Sequence, residues 1–365
     1  MRSPLLILLI VLPCLPAIAG CGGSGPMAQA LWKPQSGNPP KVKVVSSNLY
    51  YGTELDEAMA GVLAGDPEQI IAGVSVAYDR LVATDFHTRA QALAEAIQAE
   101  EPDLIGLQEA ALWRTQVPSD TFTAAPTPAT DVAYDFVEIL QTALAAYGLT
   151  YDVAAEFTGF DVEFPRLNEA YALEDVRLTD REVILVNRDS KARISNPQTG
   201  AFDINIVFPS GFEILRGWAA VDVTVKERTF RFVSTHLEAD HPDVRLAQAA
   251  EILQGPTATH LPVVLVGDFN YDLDAPGAEG TSIFLALLQS AGFSLLAPGT
   301  AGDSTCCHDE LLVDAAATLT ERLDLVLHRG PYETTHQRIL DPRQDGLWGS
   351  DHAAVYAKIR LTDEP

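Results

Sequence analysis

VVLVGDFN, residues 263 to 270, is a run of β-branched and apolar residues that ends in the polar pair Asp268 and Asn270. An apolar run of this length, followed by polar residues, predicts a buried strand. Side chains alternate along an extended chain, so Asp268 and Asn270 share one face. Elsewhere an Asp-x-Asn sequence more often forms a turn. Here it indicates polar side chains at the end of a sheet strand, where a site can form.

Five further polar clusters lie at the ends of apolar, strand-like runs. They are Ser47-Asn48-Leu49, Gln108-Glu109, Ser234-Thr235-His236-Leu237, Arg322-Leu323-Asp324 and Ser350-Asp351-His352. Carboxylates and amides hold a hard divalent cation, while histidines and a carboxylate move protons. Together the clusters indicate a divalent metal combined with an acid/base pair.

Between the clusters, hydrophobic periodicity predicts alternating strands and helices. Residues 42–46 form a strand, residues 86–100 a helix stopped by Pro102, and residues 103–108 a strand, which is typical of an α/β sheet. We expect a helical insertion before that helix, an irregular segment at 115–130 and an amphipathic helix at 131–147. The remaining expected elements are antiparallel strands within 183–233, helices at 242–254 and 281–290, and strands at 262–266, 323–327 and 353–359.

The six clusters, in this order, resemble those of the endonuclease/exonuclease/phosphatase superfamily. These metal-dependent phosphoesterases include pancreatic-type DNases, abasic-site endonucleases, inositol phosphatases and bacterial sphingomyelinases. The resemblance implies an α/β fold over residues 41–361, a four-layer sandwich of two mixed, mostly antiparallel β-sheets flanked by helices.

The resemblance also implies a metal site and its ligands. Glu109 is expected to be the principal Mg²⁺ ligand, with Mn²⁺ or Ca²⁺ as alternatives. Asn48 is expected to assist it directly or through water, and Asp351 to bind the metal or its water. Taken alone, a Glu after a strand is more often an ordinary surface carboxylate, and only the partner clusters favour the metal site.

The expected catalytic groups follow in the same way. Asp268 would orient or deprotonate the attacking water, although the wider family also offers a second-metal role for this residue. Asn270 would hold a phosphate oxygen, Asp324 and His352 would form a dyad at the scissile phosphate, and His236 would hydrogen-bond the phosphate. Arg181 and Glu182 lie about where relatives carry a polar residue that supports a histidine.

The clusters leave the substrate open. We expect an exported phosphoesterase acting on phosphodiester or phosphomonoester bonds of a small, lipid or nucleic acid substrate, with no protein partner implied. An endonuclease acting on DNA or RNA is an alternative, and a non-catalytic surface binding module on the same fold is a further one. A net charge of -26 opposes sequence-independent binding to nucleic acid. Loss of catalysis should remove some polar clusters, and none is missing.

The N-terminus has the pattern expected of an export signal. Residues 5–12 are apolar, follow Arg2 and form too short a run for a membrane span. Residues 18–21, Ile-Ala-Gly-Cys, resemble a bacterial lipoprotein processing site, which implies a signal peptide at 1–20, lipidation of Cys21, a flexible tether at 21–40 and anchoring in the cell envelope. Cleavage of an ordinary signal peptide beside an incidental cysteine is the alternative.

Cys306 and Cys307 are the cysteines left after the export segment. Across a trans peptide their Cα atoms would be about 3.8 Å apart, below the usual disulfide range. We therefore expect a local loop element, with a soft-metal site that includes His308 as the alternative.

Overall fold

The computed structural model describes residues 39–208, 211–275, 277, 280–295 and 303–362. The expected signal peptide, Cys21 and most of the tether lie outside these residues. Within them, no helix is long and apolar enough to cross a membrane.

Six helices and eighteen strands are assigned within the described residues. The helices are α1 (Asp56–Ala64), α2 (Pro67–Ala83), α3 (Phe86–Glu100), α4 (Phe136–Ala146), α5 (Pro242–Gln254) and α6 (Thr281–Ser290). The first nine strands are β1 (Lys41–Asn48), β2 (Leu104–Gln108), β3 (Leu112–Gln116), β4 (Asp131–Asp135), β5 (Tyr151–Leu167), β6 (Leu173–Asn187), β7 (Arg193–Ala201), β8 (Ile206–Val207) and β9 (Glu213–Ile214). The others are β10 (Gly217–Val225), β11 (Arg228–His236), β12 (Val263–Asp268), β13 (Ser294–Leu295), β14 (Asp324–Arg329), β15 (Tyr332–Leu340), β16 (Arg343–Gln344), β17 (Leu347–Trp348) and β18 (Ala354–Leu361).

Two large sheets organise the chain. The first has the order β15-β18-β1-β2-β6-β3-β4, with β5 also paired to β6, and the second has the order β13-β14-β12-β11-β10-β7. Within them, β1 runs parallel to β2 and β11 parallel to β12, while the other described pairings in both sheets are antiparallel. The expected mixed, mostly antiparallel sheets are confirmed.

Three apolar cores hold four layers together. One core joins α2, α3 and α4 to the first sheet, through residues such as Leu81, Phe86 and Phe136. A second joins the two sheets face to face, and a third joins the second sheet to α5 and α6. The order of layers is therefore helix, sheet, sheet, helix, which confirms the predicted sandwich.

Close contact between the sheets depends on Gly106 in β2. A Cβ atom there would lie 2.5 Å from Val266 Cγ2 and 2.9 Å from Ser234 Oγ, both on the facing sheet. Next to it, Gln108 Nε2 donates to Ser234 Oγ over 2.9 Å. The absent side chain thus brings the ends of β2, β11 and β12 together.

The prediction of a helix over residues 131–147 is wrong for residues 131–135. Residues 131–135 form β4, in which Val132 pairs with Arg114 of β3. The helix begins after Asp135, whose carboxylate accepts hydrogen bonds from the Val137 and Glu138 backbone N–H groups. An N-cap inside the apolar pattern therefore separates a strand from the helix.

Candidate active site

The strand ends that carry the polar clusters meet at one edge of the sandwich. In the second sheet, His236 is in register with Asp268, and Asp268 with Asp324. In the first sheet, Asn48 at the end of β1 is in register with Gln108, the residue before Glu109. Two neighbouring rows of polar residues result, one from each sheet.

Glu109, Asn48 and Asp268 are linked by hydrogen bonds. Asn48 Nδ2 donates to Glu109 Oε1 over 3.0 Å and to Asp268 Oδ2 over 3.1 Å. Its Oδ1 accepts the Tyr50 N–H over 2.9 Å, and Glu109 Oε2 accepts the Tyr51 N–H over 3.0 Å. In this arrangement Asn48 presents its amide nitrogen to both carboxylates, and its expected contact with a metal stays a prediction.

Glu109 stands at φ 52°, in the left-handed region. Non-glycine residues pay roughly 1–3 kcal/mol for this backbone conformation and keep it where the surrounding structure demands it. The turn aims its side chain away from β2 and into a pocket that it lines together with Asp351. The strained backbone at Glu109 therefore belongs to a residue whose carboxylate lines the candidate site.

The metal-site residues fit a hard divalent cation. Burial, followed by the negative charge of Asp351, raises the pKa of Glu109 to about 8. Burial likewise raises the pKa of Asp351. The raised pKa values mean that neither carboxyl group ionises readily in the absence of a cation. When ionised, the two groups offer oxygen ligands whose negative charge Mg²⁺ or a similar cation would balance.

Asp324 and His352 form the expected pair. His352 Nδ1 lies 2.7 Å from Asp324 Oδ2, and both residues are buried. Burial opposes a charge on His352, but Asp324, Asp351 and Asp268 outweigh it and raise its pKa well above the usual value. The raised pKa favours the positively charged ring, with a proton on both nitrogens, at neutral pH.

Asp268 lies between the two histidines. Its Oδ2 is 3.6 Å from His236 Nε2 and 3.7 Å from His352 Nδ1. Burial alone would raise the pKa of Asp268, but the His352 charge reverses this and lowers it. Asp268 is therefore ionised at neutral pH and can accept a proton.

The side chain of Asn270 donates through Nδ2 to Leu237 O over 2.9 Å, and its backbone N–H donates to Asp268 Oδ1 over 2.9 Å. Its φ of 53° falls in the left-handed region, which asparagine tolerates better than most residues. Asn270 thus closes the turn that holds Asp268.

Arg181 and Glu182 have different surroundings. Arg181 donates to Ala110 O over 2.7 Å and to Asp135 Oδ1 over 2.6 Å, which ties down the turn after Glu109. Glu182 Oε1 lies 4.0 Å from His236 Nδ1, too far for a hydrogen bond.

Arg216, which the sequence analysis did not single out, occupies the position beside His236 instead. Its Nη1 is 2.9 Å from His236 Nδ1, 3.5 Å from Tyr51 Oη and 3.6 Å from Asp180 Oδ2. The sequence pattern could have identified Arg216. A single arginine stands directly before the apolar run 217–221, just as the single carboxylate of Glu109 stands directly after its apolar strand.

A pocket of about 250 Å³ opens beside these groups. Its inner wall includes Glu109, Asp351 and Arg216. Its other walls are largely apolar or acidic and come from the start of α1, from β5, from β9 and from the segment after β11. They include Leu55, Met59, Phe160, Val162, Phe212, Ile214, Glu54, Asp56 and Asp240.

Cys306 and Cys307 differ from expectation. The peptide bond between them is cis, their Cα atoms are 3.0 Å apart, and their sulfur atoms are joined in a disulfide. The Cα separation of about 3.8 Å that a trans peptide would give is therefore not observed. His308 takes no part, since its Nε2 is 2.9 Å from Asp341 Oδ1 and its ring stacks on Trp348.

Comparisons with known proteins bear on the family and the fold of the chain. The profile of the Endonuclease/Exonuclease/phosphatase family matches residues 76–352. No curated protein matches the sequence.

Several solved structures share the fold at low sequence identity. An endonuclease/exonuclease/phosphatase family protein from Bacteroides thetaiotaomicron is 13% identical, with a TM-score of 0.54 over 89% of this chain and 96% of that one. An endonuclease/exonuclease/phosphatase from Beutenbergia cavernae is 16% identical, with a TM-score of 0.53 over 88% of this chain and 72% of that one. A humanized TDP2 from D. rerio is 16% identical, with a TM-score of 0.50 over 88% of this chain and 99% of that one.

The family profile covers most of the chain and every polar cluster except that at Asn48, which β1 places beside Glu109. The chain belongs to the endonuclease/exonuclease/phosphatase family.

Proposed function

We propose that the protein is an exported, divalent-metal-dependent phosphoesterase that hydrolyses phosphodiester bonds by attack of water. The observation that carries the proposal is the position of Asp268. An ionised carboxylate lies within 4 Å of two histidines and of the Asn48 amide, next to the carboxylate pair of the pocket. General bases and proton donors need this proximity to act on one substrate.

Each group has a proposed role. Glu109 and Asp351 would hold Mg²⁺, which when bound supplies positive charge for the phosphoryl oxygens. Asp268 accepts a proton from the attacking water, and Asn48 and Asn270 keep its carboxylate oriented. His352, charged and fixed by Asp324, stabilises the phosphoryl group and donates a proton toward the leaving oxygen.

The test is hydrolysis of bis-p-nitrophenyl phosphate with and without Mg²⁺. We expect activity that disappears after exhaustive chelation and returns with added Mg²⁺ or Mn²⁺. Full activity in protein that elemental analysis shows to be free of metal would contradict the proposal. Intact folding with no hydrolysis of any phosphoester would favour the alternative of a non-catalytic binding module.

The pocket supports a small or lipid phosphodiester over a nucleic acid. Arg216 is the one basic residue among the described residues that line it, whereas Asp56 and Asp240 add two exposed carboxylates. Glu54 is a third acidic group, and burial followed by the negative charge of Asp351 raises its pKa to about 7. A polynucleotide places further phosphates beside the scissile one, and these carboxylates would repel them. The half-buried Ile214 offers apolar surface to an organic group instead.

Ile214→Ala tests this part of the proposal. We expect it to raise KM for an apolar diester and to leave the Mg²⁺ requirement unchanged, because Ile214 belongs to β9 and is not among the groups proposed to hold the cation. Equal effects on apolar and polar diesters would argue against a specificity role for the pocket.

A further inference from the structure

The hydrogen-bond partners of His236 decide which of its ring nitrogens carries the proton. Arg216 Nη1 lies 2.9 Å from His236 Nδ1. A guanidinium has donors only and stays charged, so Nδ1 must accept this hydrogen bond. The proton of the neutral ring is then on Nε2.

On the other side of the ring, Nε2 faces the proposed base. Asp268 Oδ2 is 3.6 Å away and also accepts the Asn48 amide proton. A protonated Nε2 directs an N–H group toward this carboxylate. An unprotonated Nε2 would instead place its lone pair against a lone pair of the Asp268 oxygen. With a donor on Nδ1 and a proton on Nε2, His236 has no free lone pair for a proton from water.

Arg216 is built into the site. The residue is 8% exposed, and its Nη1 also lies near Tyr51 Oη and Asp180 Oδ2. Its Nε is buried and has no hydrogen-bond partner among the described residues. An arginine buried this deeply between a histidine and an aspartate keeps a fixed position.

The remaining neighbours of His236 favour the same neutral state. Glu182 stands 4.0 Å from Nδ1, and burial raises the pKa of this carboxyl well above its usual value, so it adds little negative charge. Burial, and then the Arg216 charge, lower the pKa of His236 to about 3. A second proton on the ring would meet the Arg216 cation at close range.

We propose that Arg216 is a positioning residue that holds His236 as the neutral tautomer protonated on Nε2. His236 then acts as a fixed N–H donor toward Asp268 and the phosphoryl group. The two histidines have distinct tasks, since Nδ1 of His236 faces the Arg216 guanidinium whereas Nδ1 of His352 faces the Asp324 carboxylate.

The assignment removes His236 as an acceptor for the proton of the attacking water, and the carboxylate of Asp268 keeps the role of proposed base. As the water oxygen bonds to phosphorus, the bond from phosphorus to the leaving oxygen breaks and His352 protonates that oxygen. The tautomer of His236 does not depend on the proposed function, whereas the catalytic roles of His236, Asp268 and His352 rest on that function.

The tautomer can be observed directly by long-range ¹H–¹⁵N correlation NMR of ¹⁵N-histidine-labelled protein at neutral pH, with His236→Gln to assign the signals. We expect an unprotonated Nδ1 and a protonated Nε2 for His236. A proton on Nδ1, or on both nitrogens, would overturn the proposal whether or not the protein hydrolyses a phosphodiester.

Two variants separate positioning from substrate binding. Arg216→Met removes the donor at similar length and should lower kcat about 10- to 100-fold, the loss typical for partners that orient a site imidazole. Arg216→Lys keeps a donor and a charge and should retain more of the activity and the Nε2 proton. A rise in KM alone, or an unchanged His236 spectrum in Arg216→Met, would contradict the positioning role. If Arg216→Met does not fold, the wild-type and lysine spectra still decide.

Discussion

At the scale of single residues, Asp268 and His352 occupy the centre of the site and differ in their expected charge. Asp268→Asn and His352→Ala should each lower kcat by at least about 100-fold, the size expected when a general base or acid is lost. Both substitutions leave the apolar cores untouched, so the fold should persist. Stopped assays with bis-p-nitrophenyl phosphate measure the loss.

The matched control for this pair is His336→Ala, which removes an exposed histidine on β15 that no described site group contacts. It should keep wild-type turnover. Near wild-type rates in both site variants would show that the residues have been assigned wrongly.

Glu109 gives a prediction about pH. Without a cation its pKa of about 8 means that the carboxyl holds a proton at pH 7, and a divalent cation must displace that proton. Cation affinity should therefore rise with pH up to about 8, by at most tenfold per unit for one proton, and then level off. Titration calorimetry in two buffers of different ionisation enthalpy measures the released proton.

In Glu109→Gln the affinity should fall and the part of the proton release that is due to this residue should vanish. Cation affinity that stays constant between about pH 6 and pH 8 in the wild type would refute the prediction.

At the scale of elements, Arg89 joins three segments around the site. It is fully buried on α3 and donates to Leu49 O over 2.7 Å, Tyr50 O over 3.2 Å, Gly349 O over 3.3 Å and Thr84 O over 3.1 Å. The segments after β1 and before Ser350 are thereby tied to one helix. These segments adjoin Asn48, the last residue of β1, and the Ser350-Asp351 pair.

Arg89→Met should lower the free energy of unfolding by about 3 kcal/mol or more, because several buried carbonyls lose a charged donor. It should also weaken cation binding, which depends on the segments that Arg89 holds. Urea denaturation and metal titration measure the two effects. Arg80→Met is the control, since it breaks only partly exposed ion pairs, those with Glu57 and Glu310, and should cost about 1 kcal/mol or less.

Local pattern explains which elements could be predicted from sequence. Helices α3, α5 and α6 follow from apolar spacing and from Pro102 and Pro242, and the strand ends of the six clusters follow from apolar runs that stop at polar residues. The boundary between β4 and α4 was missed because Asp135 caps a helix inside an apolar pattern. Only pairing with β3 reveals the strand.

Distant contacts explain what could not be predicted in the site. Arg216 precedes β10 and meets His236 at the end of the neighbouring strand, Asp180 belongs to the other sheet, and Tyr51 follows β1. The packing of two sheets, permitted by Gly106, creates this cluster. Residue types alone indicated a histidine near phosphate, whereas its protonation depends on these contacts.

At the scale of the whole molecule, attachment to a membrane remains a prediction from the N-terminal sequence. Cys21→Ser should release the protein from the membrane fraction or block its processing, because lipid chains contribute about 0.8 kcal/mol per buried CH₂ to anchoring. Fractionation and metabolic acyl labelling measure this. Unchanged membrane association of the variant, together with no acyl label on the wild type, would contradict it.

The net charge of -26 acts together with the acidic walls of the pocket. Plasmid DNA should be cut with lower kcat/KM than a small phosphodiester at physiological salt, because few cations near the site can neutralise its phosphates.

Asp240→Lys replaces an exposed carboxylate of the pocket with a cation and should narrow the difference in kcat/KM between the two substrates. Asp243→Lys is the matched control, because it changes the same charge on α5, outside the residues that line the pocket. Comparable kcat/KM on DNA and on the small diester, or DNA cleavage that falls steeply with added salt, would restore the nuclease interpretation, since a steep salt dependence is the signature of many phosphate contacts.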